Sequence, residues 1–157
     1  MIDPKQDGIS HVNIYSQGKT PLGQMLSNFY HFKSVTKDGD FQSVEGYWYW
    51  LGIEDCKEKE VLRNLYGYNA KKIGNELKSR FKQRIDDDFE NKILGAIWYK
   101  VKRNKSLFTE NIRELPFEHY YNFGGKIKNV RSKYLWMIDG IEKMRRYIIG
   151  SLNNEQL

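Results

Sequence analysis

The chain has a single cysteine, Cys56, so no intramolecular disulfide can form and the stapled architecture of small secreted domains is excluded. Cys56 lies in the charged stretch IEDCKEKE with no histidine nearby in sequence, which denies it the base that a nucleophilic thiol needs. Histidine is equally sparse: His11, His31 and His119 stand far apart, without HxxxH or CxxC spacing, so neither a metal centre nor a cofactor is expected. Long apolar runs are missing too. The longest uncharged, aromatic-rich run is 47–53, far short of the ~20 residues a membrane-spanning helix needs. The opening MIDPKQDGIS has no basic region followed by an apolar stretch, so no secretory signal is expected. Together these absences predict a cytoplasmic protein without a membrane partner.

What is present argues for a globular fold. Hydrophobic residues make up 39% and charged residues 29% of 157 residues, which predicts one domain spanning 1–157 rather than a disordered chain. Aromatic content is high at 15%, led by eleven tyrosines. The net charge of +6 is concentrated late: from Lys100 to Arg146 twelve basic residues face five acidic ones. Such a surplus attracts phosphates and makes a nucleic-acid partner one reading of this half; a solvated lysine-rich surface is the other. No recognisable nucleic-acid module accompanies the charge.

Periodicity predicts a mainly helical α+β class, with a small antiparallel sheet near the N-terminus and about five helices. HVNIYS (11–16) alternates as a short strand, and SQGKTPLGQ (16–24) reads as a loop. FYHFKSV (29–35) and FQSV (41–44) read as a hairpin, with Asp38-Gly39 supplying its tight turn. The stretch 54–68 mixes acids and bases as a helix stopped at Gly67, and Asn69 caps a second helix carrying Ile73, Leu77 and Phe81. The clearest element is DDDFENKILGAIWYKVKRNK, with acids first, bases last and a stripe of Phe89, Ile93, Ile97 and Val101. A short helix around 106–114 and a final one over roughly 133–151, with Leu135, Ile138, Ile141 and Ile148 on one face, complete the reading.

The candidate chemistry gathers around DGDFQSVEGYWYWLG (38–52). Ser43 can cap a helix with Glu45 in its first turn, where a carboxylate favours the dipole by about 0.3–1 kcal/mol. In the rival reading, the aromatics around Glu45 desolvate it, raise its pKa and fit it for acid–base work, with Tyr49 one turn on as its hydrogen-bond partner. Tyr47, Trp48 and Trp50 are either core or a stacking platform. In MLSNFYHF (25–32), Asn28 can present donor and acceptor to a base or sugar edge, or simply cap a turn. Gly124-Gly125-Lys126 lacks the remainder of a Walker loop; it is a flexible turn or a close backbone approach to phosphate.

The order of VNIYS, LSNF and DGDFQSVEGYWYW resembles the opening of the NADAR family, also called YbiA-like. NAKKIGNEL, ILGAIWYKVKRNKSL and HYYNFGGKIKNV are similar to its later segments, so the resemblance spans about residues 11–147. It implies a mainly helical α+β domain that binds a nucleotide or ADP-ribose-like small molecule. The implied activity is hydrolysis of N-glycosidic bonds in phosphoribosylated riboflavin-pathway intermediates or between ADP-ribose and guanine bases. Carried across, Asn28 and Phe29 match its SNF, Glu45 its glutamate and Asn129 its late asparagine, while Gly124 and Gly125 fall in its glycine-rich turn. The expected roles are Glu45 and Tyr49 in catalysis, and Asn28, Phe29, Trp48, Gly124, Gly125, Lys126 and Asn129 in substrate binding. Gly46, Tyr49 and Gly52 stand where the family pattern has histidine, glutamine and lysine, and His119 and Asn122 where it has aspartate and tryptophan. The alternative implied is therefore a catalytically degenerate member that binds a nucleotide or a host protein. The richness in Lys, Asn and Tyr resembles a phage-encoded member, for which the compartment would be the host cytoplasm.

Overall fold

The computed structural model describes residues 1–155. In chain order the elements are β1 (Val12–Asn13), α1 (Pro21–Leu26), β2 (Ser34–Thr36), β3 (Gly39–Phe41), α2 (Val44–Leu51), α3 (Gly67–Arg80), α4 (Phe89–Lys102), β4 (Phe117–Glu118), β5 (Tyr120–Phe123), β6 (Lys126–Asn129) and α5 (Leu135–Glu155), with 3-10 turns between them. The class is the mainly helical α+β that the periodicity predicts. The chain divides into two compact units, Asn28–Lys100 on the one hand and Met1–Ser27 with the segment from Val101 onward on the other.

In the unit Asn28–Lys100, β2 and β3 form the expected antiparallel hairpin, with Thr36 opposite Gly39 and the glycine at φ +103. Next, α2 begins where Ser43, in extended backbone, accepts the Gly46 N–H at 3.0 Å. It buries Val44, Tyr47, Trp50 and Leu51. Tyr47 stacks on Phe41, and its hydroxyl donates to Asp38 at 2.6 Å. Lys92 near the start of α4 bonds Asp86 at 2.9 Å and pairs with Asp38 at 3.3 Å, joining hairpin, α2 and α4 through one polar network. Of the predicted α4 stripe, Ile93 and Ile97 are fully buried, as is Val101 where the other unit begins, while Phe89 is half-buried.

Three expectations in this unit change. The charged stretch predicted as a regular helix is a 3-10 turn over Glu58–Asn64. Its Lys59 turns inward, lies 3.8 Å from the Trp50 ring, and donates to the carbonyls of Trp50 (3.2 Å) and Ile53 (3.0 Å). An ammonium thereby satisfies acceptors at the C-terminal end of α2, a favourable place for a cation. Gly67, expected as a helix stop, instead opens α3 at φ +61 with Tyr66 in the capping position. Of the α3 stripe, Leu77 is buried, while Ile73 and Phe81 stay half-exposed.

In the other unit, the predicted strand near 11–16 is shorter and pairs in parallel with β4, Val12 facing Phe117. The expected loop at 16–24 contains the start of α1, where Thr20 accepts the Gly23 N–H at 2.9 Å and Pro21 takes the first helical position. The helix expected around 106–114 is reduced to a 3-10 turn at Lys105–Leu107. β5 and β6 form an antiparallel hairpin through Gly124 and Gly125, at φ +59 and +93, so the glycine pair read as a flexible turn closes a two-stranded ladder. On α5, Ile138, Ile141 and Ile148 are buried as predicted, but Leu135 is exposed.

Candidate active site

Glu45 occupies the first turn of α2, and its backbone N–H donates to the Asn28 carbonyl at 2.9 Å. One residue on, the Phe29 carbonyl accepts the Gly67 N–H at 3.0 Å. The segment 28–29 is thus stitched to the starts of both α2 and α3, bringing Asn28, Phe29 and Glu45 together. The Asn28 side-chain oxygen has no accessible surface.

Part of Glu45 remains accessible, yet protein atoms crowd its carboxyl closely enough to disfavour the charge. Burial pushes the carboxyl up to about 7, and the ammonium of Lys71 on α3 acts in the opposite direction. A carboxyl with this pKa exchanges a proton readily at neutral pH, as general acid–base work requires.

Tyr49 lies one turn beyond Glu45, but its hydroxyl donates to Asn75 on α3 at 3.0 Å. The pairing with Glu45 expected from the one-turn spacing is replaced by this bond. The ring covers Gly74, where an added Cβ would stand 2.3 Å from the Tyr49 Cγ. Trp48 presents its ring to Phe89, centroids 4.9 Å apart and nearly perpendicular. Gly46 has a steric cause, since a Cβ there would lie 2.4 Å from the Leu62 carbonyl oxygen. At Gly52 a Cβ would meet only ordinary contacts at 3.7 Å, so space does not dictate glycine there.

The remaining predicted residues belong to the other unit. Gly124, Gly125, Lys126 and Asn129 sit in the β5–β6 hairpin, all of them exposed. The Gly125 N–H donates to Asn122 Oδ1 at 2.9 Å, and Asn129 Oδ1 accepts the Arg131 N–H at 3.0 Å. The hairpin amide offered by sequence as a phosphate donor is therefore already bonded within the turn. His119 is buried, with Nδ1 donating to the Ile14 carbonyl at 2.7 Å, and burial lowers its pKa.

Sequence reasoning missed Lys71 and Lys59. Lys71 sits in NAKKIGNEL, whose charges look like a solvated helix face. Its relation to Glu45 arises only because α3 packs on α2 through Gly74 and Tyr49. Among the described residues no helix is long and apolar enough to cross a membrane, and no three His, Cys, Asp or Glu side chains gather to hold a metal ion. No family model, curated protein or solved structure matches the chain.

Proposed function

We propose that the chain hydrolyses N-glycosidic bonds in ADP-ribosyl or phosphoribosyl compounds, the activity implied by its resemblance to the NADAR family. The observation that carries this reading is a carboxyl that burial pushes up to about 7, its residue bonded through the backbone to Asn28 and its ionised form favoured by the Lys71 ammonium. Hydrolysis adds water across the bond between the anomeric carbon and the base nitrogen. Ionised Glu45 accepts a proton from water as the water oxygen bonds to that carbon. The C–N electron pair leaves with the base, which then takes the same proton from Glu45, and Glu45 is left as the carboxylate again. While ionised, Glu45 also favours the positive charge that builds on the sugar. With its side-chain oxygen buried, Asn28 orients the sugar or base edge through its amide N–H groups alone. Lys71 keeps a fraction of Glu45 ionised at neutral pH, and Tyr49 supports the site by holding α3 against α2.

A second reading, a binding module without turnover, is favoured by a different observation. The Tyr49 proton goes to Asn75, and Gly46 and Gly52 replace two functional side chains of the family pattern. One experiment separates the readings. The protein and Glu45→Gln are incubated with ADP-ribosylated DNA and with phosphoribosylated pyrimidines, and released base or sugar is quantified. Turnover that falls by roughly 10²–10⁴-fold in Glu45→Gln supports the hydrolase. Micromolar ADP-ribose binding by calorimetry, with no release from any N-glycoside, supports the binding module instead.

A further inference from the structure

The β5–β6 hairpin carries two chemically distinct faces. Tyr120 is buried at 1% exposure, and its hydroxyl meets His11 Nε2 at 2.7 Å, so alternation turns Tyr121 and Phe123 to the opposite side. The cross-strand partners of these two residues are Lys128 and Lys126, and directly opposed residues share a face. The outward face therefore sets two aromatic rings beside two exposed lysines. Phe123 is 62% exposed. Its ring lies 6.1 Å from that of Tyr121, which continues to Tyr15 at 5.5 Å and to His119 at 5.7 Å. The rings form one connected row that ends in solvent at Phe123.

Along the chain, the charge of the hairpin and of the turn after it has one sign. Between Glu118 and Asp139 the basic residues are Lys126, Lys128, Arg131 and Lys133, and no carboxylate interrupts them. Lys126, Lys128 and Lys133 are exposed and make no ion pair among the described residues. An exposed ring beside unneutralised lysines is the combination that holds unpaired bases on a polyanionic backbone, because every base offers a face to stack and every phosphate a charge to meet. A duplex hides its base faces and can use only the lysines.

We propose that this face binds single-stranded nucleic acid, with Phe123 and Tyr121 stacking on bases and Lys126 and Lys128 contacting phosphates. The surface is independent of Glu45, which belongs to the other unit, and the proposal stands or falls without the hydrolase reading.

The test is fluorescence anisotropy with a labelled oligothymidine and no ADP-ribosyl group, titrated at several salt concentrations. The expected result is binding that weakens linearly in log–log form with salt, and that exceeds binding to a duplex of equal length. Phe123→Ala should weaken it by about tenfold without changing the salt slope. Phe123→Trp, which keeps a stacking face, should retain it. The pair Lys126→Gln and Lys128→Gln should reduce the slope by about 1.4, roughly 0.7 for each phosphate no longer neutralised. Glu45→Gln should leave the affinity unchanged. Absence of binding, equal affinity for duplex, an unaffected Phe123→Ala, or equal loss in Phe123→Ala and Phe123→Trp would overturn the proposal.

Discussion

The Asn28 carbonyl accepts the Glu45 backbone N–H at 2.9 Å, a bond between residues that sequence alone ranked as separate candidates. It fixes the first turn of α2 against the segment that also holds the start of α3. Glu45 is thereby set where its carboxyl loses water and gains Lys71 as a neighbour. Four consequences can be measured.

The first concerns stability and pH. Burial lifts the Glu45 carboxyl from 4.5 to about 7, so between those values the folded chain binds more protons than the unfolded chain. The stabilisation linked to this proton is complete below about pH 4.5 and is lost as pH rises through about 7. Glu45→Gln removes the titration and should gain on the wild type by on the order of 3 kcal/mol across that window. Urea denaturation of both proteins at a series of pH values measures the gap. A gap that does not widen with pH contradicts the burial of this carboxyl.

Lys71 opposes the upward shift of Glu45, so Lys71→Met should raise the Glu45 pKa further. If Glu45 accepts a proton from water, hydrolysis increases with pH as the carboxyl ionises. The variant should be slower at neutral pH, with its rate rise displaced to higher pH and its plateau preserved. The pH profile of kcat/KM for both proteins decides it, and superimposable profiles would separate Lys71 from the chemistry.

Gly46 sits under the Leu62 carbonyl with no room for a methyl group, whereas Gly52 has room. Gly46→Ala should therefore destabilise the fold by roughly 1–3 kcal/mol, as overpacking does. Gly52→Ala should stay within about 0.5 kcal/mol of the wild type. Thermal melts of the two variants compare them directly, and equal effects would contradict the close approach of the 3-10 turn to α2.

Lys100 is buried on α4, with its ammonium 5.8 Å from the Tyr30 ring, and burial lowers its pKa from 10.5 to about 7. Here the unfolded chain binds the extra proton, so the Lys100 contribution makes stability rise with pH from about 7 to 10.5. Lys100→Met lacks that proton, and the wild type should gain on it by on the order of 5 kcal/mol between neutral and alkaline pH. Denaturation midpoints measured in parallel provide the difference, and parallel pH curves would refute it.

The elements legible in the sequence are those whose causes lie within a few residues. Ser43 reaches the Gly46 N–H three positions on, and Asp38-Gly39 turns a hairpin by its own backbone preferences. The α4 stripe repeats with the helix, so its buried face could be read from spacing. Elements governed by distant partners are not legible in this way. Lys59 belongs to a stretch whose charges suggest an exposed helix, but the carbonyls of Trp50 and Ile53 draw it inside. Gly67 reads as a helix stop, yet it opens α3 with its N–H bonded to the distant Phe29 carbonyl.

By itself, the sequence determined the mainly helical class, the cap that starts α2, and the presence of a lone carboxylate among aromatic rings. Hydrogen bonds to neighbours and apolar periodicity are local, so they can be read along the chain. Only the tertiary structure decided that the Glu45 carboxyl is desolvated, that Lys71 opposes it, and that Tyr49 gives its proton to Asn75. It likewise decided that β1 pairs with β4 and that Phe123 shares an outward face with Lys126. Desolvation and pairing depend on atoms brought from remote parts of the chain, and no spacing in the sequence encodes their distance.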